Sequence, residues 1–198
     1  MNRSIILLSL LGLSPWTTAG AQYQPAPTQY TIVNEGGGQT QHFYRDGDKV
    51  LVDLDMPKSS EQPVAIHMRT IVDVPSKKQQ SWNLLDPSVP CNSIGTGDWG
   101  DPFDLWRQMA LEDSVPPKET GTATVNGMAV TVYEKSVPGG TVQFWREKTY
   151  GLLVKAVMTP TGRAPVEMFE TKEFTVGAPD AAVFAVPSRC TWNRGGHT

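Results

Sequence analysis

Thr120-Gly121-Thr122-Ala123-Thr124-Val125-Asn126-Gly127-Met128-Ala129-Val130-Thr131-Val132-Tyr133-Glu134 reads as two strands hinged on Asn126-Gly127. Asn-Gly supplies the positive-φ pair of a two-residue type I′ turn, whose twist matches that of the flanking strands. Outward from this hairpin the same grammar repeats. Gly139-Gly140 leads into a strand at Thr141–Glu147, and Gly151–Thr159 and Pro165–Val176 complete a C-terminal meander. Toward the N-terminus, Tyr30–Val33 and Gln41–Tyr44 flank Gly36-Gly37-Gly38, and Asp46-Gly47 signals a further hairpin. Val50, Val52 and Leu54 alternate with Leu51, Asp53 and Asp55, the period of a half-buried strand. Val64–Val72 alternates likewise, Ser76-Lys77-Lys78 turns the chain, and Gln79–Leu85 is a strand stopped by Asp86-Pro87.

One segment breaks the pattern. Asp101-Pro102-Phe103-Asp104 has the form of a helix start, with Asp101 as N-cap and Pro102 at the first helical position. Phe103, Trp106, Met109 and Ala110 follow on one helical face, and Pro116-Pro117 ends the segment. Pro179–Phe184 is a single helical turn. Roughly ten strands and one internal helix, without βαβ alternation, define a mainly β (α+β) class. A sheet of that width curls, so the expectation is a curved antiparallel half-barrel with the helix in its concave face.

The first 21 residues have the form of a secretory signal: Arg3, an apolar run from Ile5 to Leu13, and Ala19-Gly20-Ala21 as a small-x-small cleavage site. The expected organisation is signal peptide 1–21, flexible leader 22–29, one domain over 30–190 and a frayed tail 191–198, in the periplasm or outside the cell. No further apolar run is long enough to span a bilayer. A formal net charge of -3 argues against nucleic acid as a partner and gives no support to docking on anionic lipid. Cys91 and Cys190 are the two cysteines, and in an oxidising compartment they are expected to form one disulfide.

The layout resembles the LolA/LolB-like fold of exported lipoprotein carriers. The residues that carry the resemblance are Phe43–Asp53, the paired strands Gly121–Tyr133, Phe174-Thr175-Val176 and Asp180–Pro187, within a span from Tyr30 to Arg189. The resemblance implies an open, strongly curved antiparallel sheet whose concavity holds helices and an apolar groove for acyl chains. This chain offers one substantial helix, hence a smaller lid or a more open groove.

Motifs for chemistry are weak. Gly95-Thr96-Gly97-Asp98-Trp99-Gly100 matches G-x-G-x-x-G, but a dinucleotide site needs a βαβ unit around it. Ser93 lacks a G-x-S-x-G setting. His42, His67 and His197 are the only histidine bases, and His67 with Arg69 and Asp73 reads as a solvated polar face. Asp98, Asp101 and Asp104 lack the calcium-loop pattern, and Asp46, Asp48, Asp53 and Asp55 read as turn or exposed-face residues. The expectation is therefore no catalytic residue, no metal and no cofactor. The aromatic and methionine residues Trp82, Phe103, Trp106, Met109, Phe144, Trp145, Met158 and Met168 are candidates to line an apolar groove, since such side chains suit adaptable apolar surfaces. Ordinary core packing explains the same residues, and in a curled sheet core and groove share a wall. The expected function is non-enzymatic binding of an apolar ligand, an acyl chain, lipid or lipoprotein. The alternative is a periplasmic protein-interaction or sensor module with a protein partner and no lipid.

Overall fold

The computed structural model describes residues 23–60, 62–94, 100–106, 108 and 115–190. The expected signal peptide, the 95–99 part of the glycine loop, Met109, Ala110 and the 191–198 tail lie outside them.

Among the described residues eleven strands form one open antiparallel sheet. They are β1 (Gln29–Gly36), β2 (Gln39–Asp46), β3 (Lys49–Met56), β4 (Ile66–Asp73), β5 (Lys78–Asn83), β6 (Asn92–Ile94), β7 (Lys118–Val125), β8 (Met128–Val137), β9 (Gly140–Glu147), β10 (Leu153–Pro160) and β11 (Val166–Val176). The spatial order is β6-β5-β4-β3-β2-β1-β11-β10-β9-β8-β7. Two hairpin-built meanders are thus joined where the first strand pairs the last, Tyr30 opposite Val176 and Ile32 opposite Phe174. β6 escaped the sequence reading because its three residues carry a single apolar side chain.

The turns follow their glycines. Asn126 and Gly127 both have positive φ, 46° and 81°, and close the Val125–Met128 pair as a type I′ turn requires. The turn between β2 and β3 is shifted by one residue from the expected Asp46-Gly47. Asp46 pairs with Lys49, so the central pair is Gly47-Asp48, with only Gly47 at positive φ. Glycine at the first central position is the type II′ preference.

Consecutive strands β6 and β7 lie on opposite edges of the sheet. Ten gaps of about 4.8 Å would hold those edges about 48 Å apart if the sheet were flat. The described residues of the connection between them lie on one face. Its residues Phe103, Leu105 and Trp106 pack there, against Tyr30, Phe174, Tyr133 and Phe144. Asp101 caps this stretch as expected: its Oδ1 accepts from the Phe103 N–H at 3.0 Å, and Gln108 N–H donates to the Asp104 carbonyl at 3.0 Å. One helical turn is what the described residues carry here. They do not support the expected helix packed along the concave face, because its remaining length lies outside them.

The second face of the sheet is also apolar where β2–β5 lie. Leu51, Ile71 and Trp82 pack under Cys190, Val183, Phe184 and Val186 of the returning C-terminal segment. A 3-10 turn at Ala181–Phe184, capped by Asp180 Oδ1 accepting from Ala182 N–H at 2.9 Å, sets that cover. The Cys91–Cys190 disulfide, with Cα atoms 5.3 Å apart, pins it. No helix among the described residues is long and apolar enough to cross a membrane.

Candidate binding site

The aromatic residues of the 101–108 stretch meet the sheet in two places. Phe103 sits edge-on between Tyr30 and Phe174, with ring centroids 5.3 Å and 5.9 Å away. Trp106 lies 4.8 Å from the Tyr133 ring and 5.9 Å from that of Phe144, within edge-to-face and tilted packing distances. The stretch is also tied by charge, since Arg45 Nη1 of β2 lies 3.9 Å from Asp101 Oδ2. Burial raises the Asp101 carboxyl above its ordinary value, against the opposing effects of the Phe103 N–H and Arg45. Burial likewise pushes the Tyr133 hydroxyl up to about 12.

Arg146, on β9, was not singled out by the sequence. Its guanidinium lies 4.5 Å from the Trp106 ring on one side and 3.9 Å from the Tyr23 ring on the other. Cation–π contacts contribute about 0.5–2 kcal/mol each, more as water is removed. Arg146 Nε donates to the Gly151 carbonyl at 3.0 Å, which fixes the plane of the group. Tyr23, in the expected loose leader, is held further by its hydroxyl 3.5 Å from that of Tyr133 and by Gln24 N–H donating to the Thr149 carbonyl at 2.8 Å.

The expected groove residues divide among different places. Phe103, Trp106, Phe144 and Met158 come together on the first face. Trp82 does not join them; it is buried on the second face with Leu51, Ile71 and Cys190. Phe144 and Trp145 are adjacent on β9, and adjacent strand residues project to opposite faces. Trp145 lies beside its cross-strand neighbours Val132 and Lys155, whose Nζ is 5.9 Å from its ring centroid, and packs against the buried cluster that contains Val130 and Val154. Met168 is exposed and lies on the rim of a cleft of about 250 Å³. That cleft is lined by Leu105, Phe169 and Met168 on its apolar side and by Asn34, Glu35, Gln39 and Gln41 on its polar side.

One polar cluster contradicts the reading of Asp53 as an exposed-face residue. Asp53 is 7% exposed, and its two oxygens accept from His67 Nε2 and Arg69 Nε, each at 2.7 Å. An Asp–His pair alone lacks the nucleophile that triad chemistry requires, and among the described residues no metal-holding group of side chains forms.

The outer edge of the sheet offers a different kind of site. β7 is exposed at six of its eight positions and, among the described residues, pairs only with β8. The Val125–Met128 pair closes the tight turn, so alternation directs the N–H groups of Ala123 and Val125 toward β8 and those of Thr122 and Thr124 outward.

No family model and no curated protein matches the chain. Among solved structures, it is similar to a chain of the Pseudomonas aeruginosa MucA/MucB complex at 13% identity, with a TM-score of 0.50 over 83% of this chain. A crystal structure of MucB is similar at 14% identity, with a TM-score of 0.46 over 82% of this chain. The chain spans 58% of the length of each. The likeness is one of fold, an open, curved antiparallel sheet.

Proposed function

We propose that the chain is a non-enzymatic extracytoplasmic module that binds a partner polypeptide, and that the partner adds as a strand along β7. The observation that carries this reading is the exposed eight-residue edge of β7. An unpaired edge presents a row of N–H and C=O groups that another chain completes, and strand addition gives affinity through main-chain hydrogen bonds. The fold likeness to a chain of the MucA/MucB complex supports a protein partner. The disulfide suits an oxidising compartment. Thr122→Pro tests the site, because proline there removes an outward N–H and leaves the ladder to β8 intact. Quantitative pull-down from the native compartment is expected to lose the partner at least tenfold with this variant at unchanged thermal stability. Equal recovery by wild type and variant, or no partner with wild type, sinks the reading.

An apolar ligand is the second reading, favoured by the way Phe103 and Trp106 cover an aromatic face. The cleft beside them falls below the about 300–1,000 Å³ usual for small-molecule sites and has a polar side. Mass spectrometry of an organic extract of the purified protein separates the two readings: a stoichiometric lipid would restore the ligand reading.

A further inference from the structure

We propose that Arg146, Trp106, Tyr133 and Gly151 form a slot for a tyrosine-bearing extended peptide, and that the chain's own segment from Tyr23 to Thr28 is its resident, exchangeable ligand. This slot is distinct from the β7 edge and does not rest on strand addition there.

The slot is shaped for one side chain. The guanidinium of Arg146 is clamped between two rings, Trp106 from the protein side and Tyr23 from the segment side. The Tyr23 hydroxyl reaches that of Tyr133. Gly151 has φ +74°, and a Cβ there would lie 2.9 Å from Cγ of the Tyr23 ring and 2.9 Å from Nη2 of Arg146. A side chain at 151 would therefore occupy the space of the tyrosine and displace the cation. The Thr149 carbonyl takes the backbone N–H that follows the tyrosine. An aromatic ring, a phenol and the next amide are each recognised by a separate group.

The hold on the segment is local. Gln24, Pro25 and Ala26 are exposed, and two prolines supply no N–H. The next described backbone tie is Gly47 N–H to the Thr28 carbonyl. Between that tie and Gln24 no side chain of the segment makes a hydrogen bond, ion pair or ring contact among the described residues, the condition under which a segment opens without global unfolding. The same guanidinium touches Trp106, so withdrawal of Tyr23 uncovers Arg146 and loosens the aromatic turn beside it.

The test uses the full chain. A synthetic peptide with the sequence of residues 22–28, N-acetylated, is titrated onto wild type and onto Tyr23→Ala, with the NMR signals of Trp106 Nε1–H and Arg146 Nε–H as readout. In Tyr23→Ala the peptide is expected to return both signals to their wild-type positions, with an affinity at least tenfold higher than for wild type, whose slot is filled. A peptide with alanine in place of its tyrosine is expected to bind at least tenfold more weakly. Gly151→Ala is expected to abolish binding; should that variant fail to fold, Arg146→Lys, which keeps the charge and loses the planar stack, serves in its place. Equal peptide affinity for wild type and Tyr23→Ala, no shift at either signal, or full affinity of the tyrosine-free peptide each overturns the proposal.

Discussion

At the residue scale, what the sequence conceals is pairing across strands. Asp53 and Arg69 are sixteen residues apart, and nothing local marks them as partners, yet the β3–β4 register sets them opposite one another. Once the hairpin is placed, the alternation that made Asp53 look exposed instead aims it beneath His67 and Arg69. Arg146 was equally silent, since a single arginine on a strand carries no periodic signal. The one local sign of its site is Gly151, a glycine at positive φ where the ring of Tyr23 must pass. The sequence reading put Phe144 and Trp145 in one groove, although adjacent positions of any strand diverge. Gln80 shows the cost of burial: it is fully buried, and among the described residues both polar atoms of its amide lack a hydrogen-bond partner. Replacing an unsatisfied buried amide by an apolar side chain of similar length removes a desolvation penalty. Gln80→Met is expected to raise the unfolding free energy by about 1–2 kcal/mol, measured by urea denaturation.

At the element scale, every strand but the short β6, and their order along the chain, was readable from turn residues and alternation, and the Asp101 cap from the helix-start pattern. Trp82 was a groove candidate and falls on the face away from Phe103 and Trp106, because alternation gives two faces without saying what covers each. The returning C-terminal segment makes the second face apolar too. The tip of the β7–β8 hairpin is anchored in a similar long-range way. Asn126 Nδ2 donates to Glu170 Oε1 at 2.9 Å and to the Thr171 carbonyl at 2.8 Å. Hydrogen bonds from Lys155, Lys172 and Asn126 hold the Glu170 carboxyl down to about 2, from an ordinary 4.5. A carboxyl depressed in the folded state contributes stability that is full above its unfolded pKa and is lost as pH falls through the folded one. Wild type is therefore expected to lose this contribution between pH 4.5 and about 2. Glu170→Gln, which does not titrate, is expected to show a shallower fall in melting temperature over that window; identical profiles would remove Glu170 from the account.

At the scale of the whole molecule, the disulfide was legible from two cysteines and an exported setting, whereas the width of the sheet left open how the chain would cross it. The bridge closes a loop with a sequence separation of 99. On the chain-entropy model such a loop contributes about 4.7 kcal/mol by restricting the unfolded chain. Cys91→Ala with Cys190→Ala is expected to lower the melting temperature by about 10–20 °C, given about 2–4 °C per kcal/mol at this size. An unchanged scan would show that the bridge only decorates the fold.

The same bridge has a consequence for the chain once its backbone is cut. Cys91 belongs to the meander of β1–β6 and Cys190 follows that of β7–β11, so each half of the sheet carries one sulfur. A protease that severs any single peptide bond between them produces two fragments that stay covalently joined and still share the β1–β11 pairing. Such a nicked protein runs as one band without reductant and as two with it. Cleavage in the crossing connection therefore need not release either half, and reduction becomes the step that parts them.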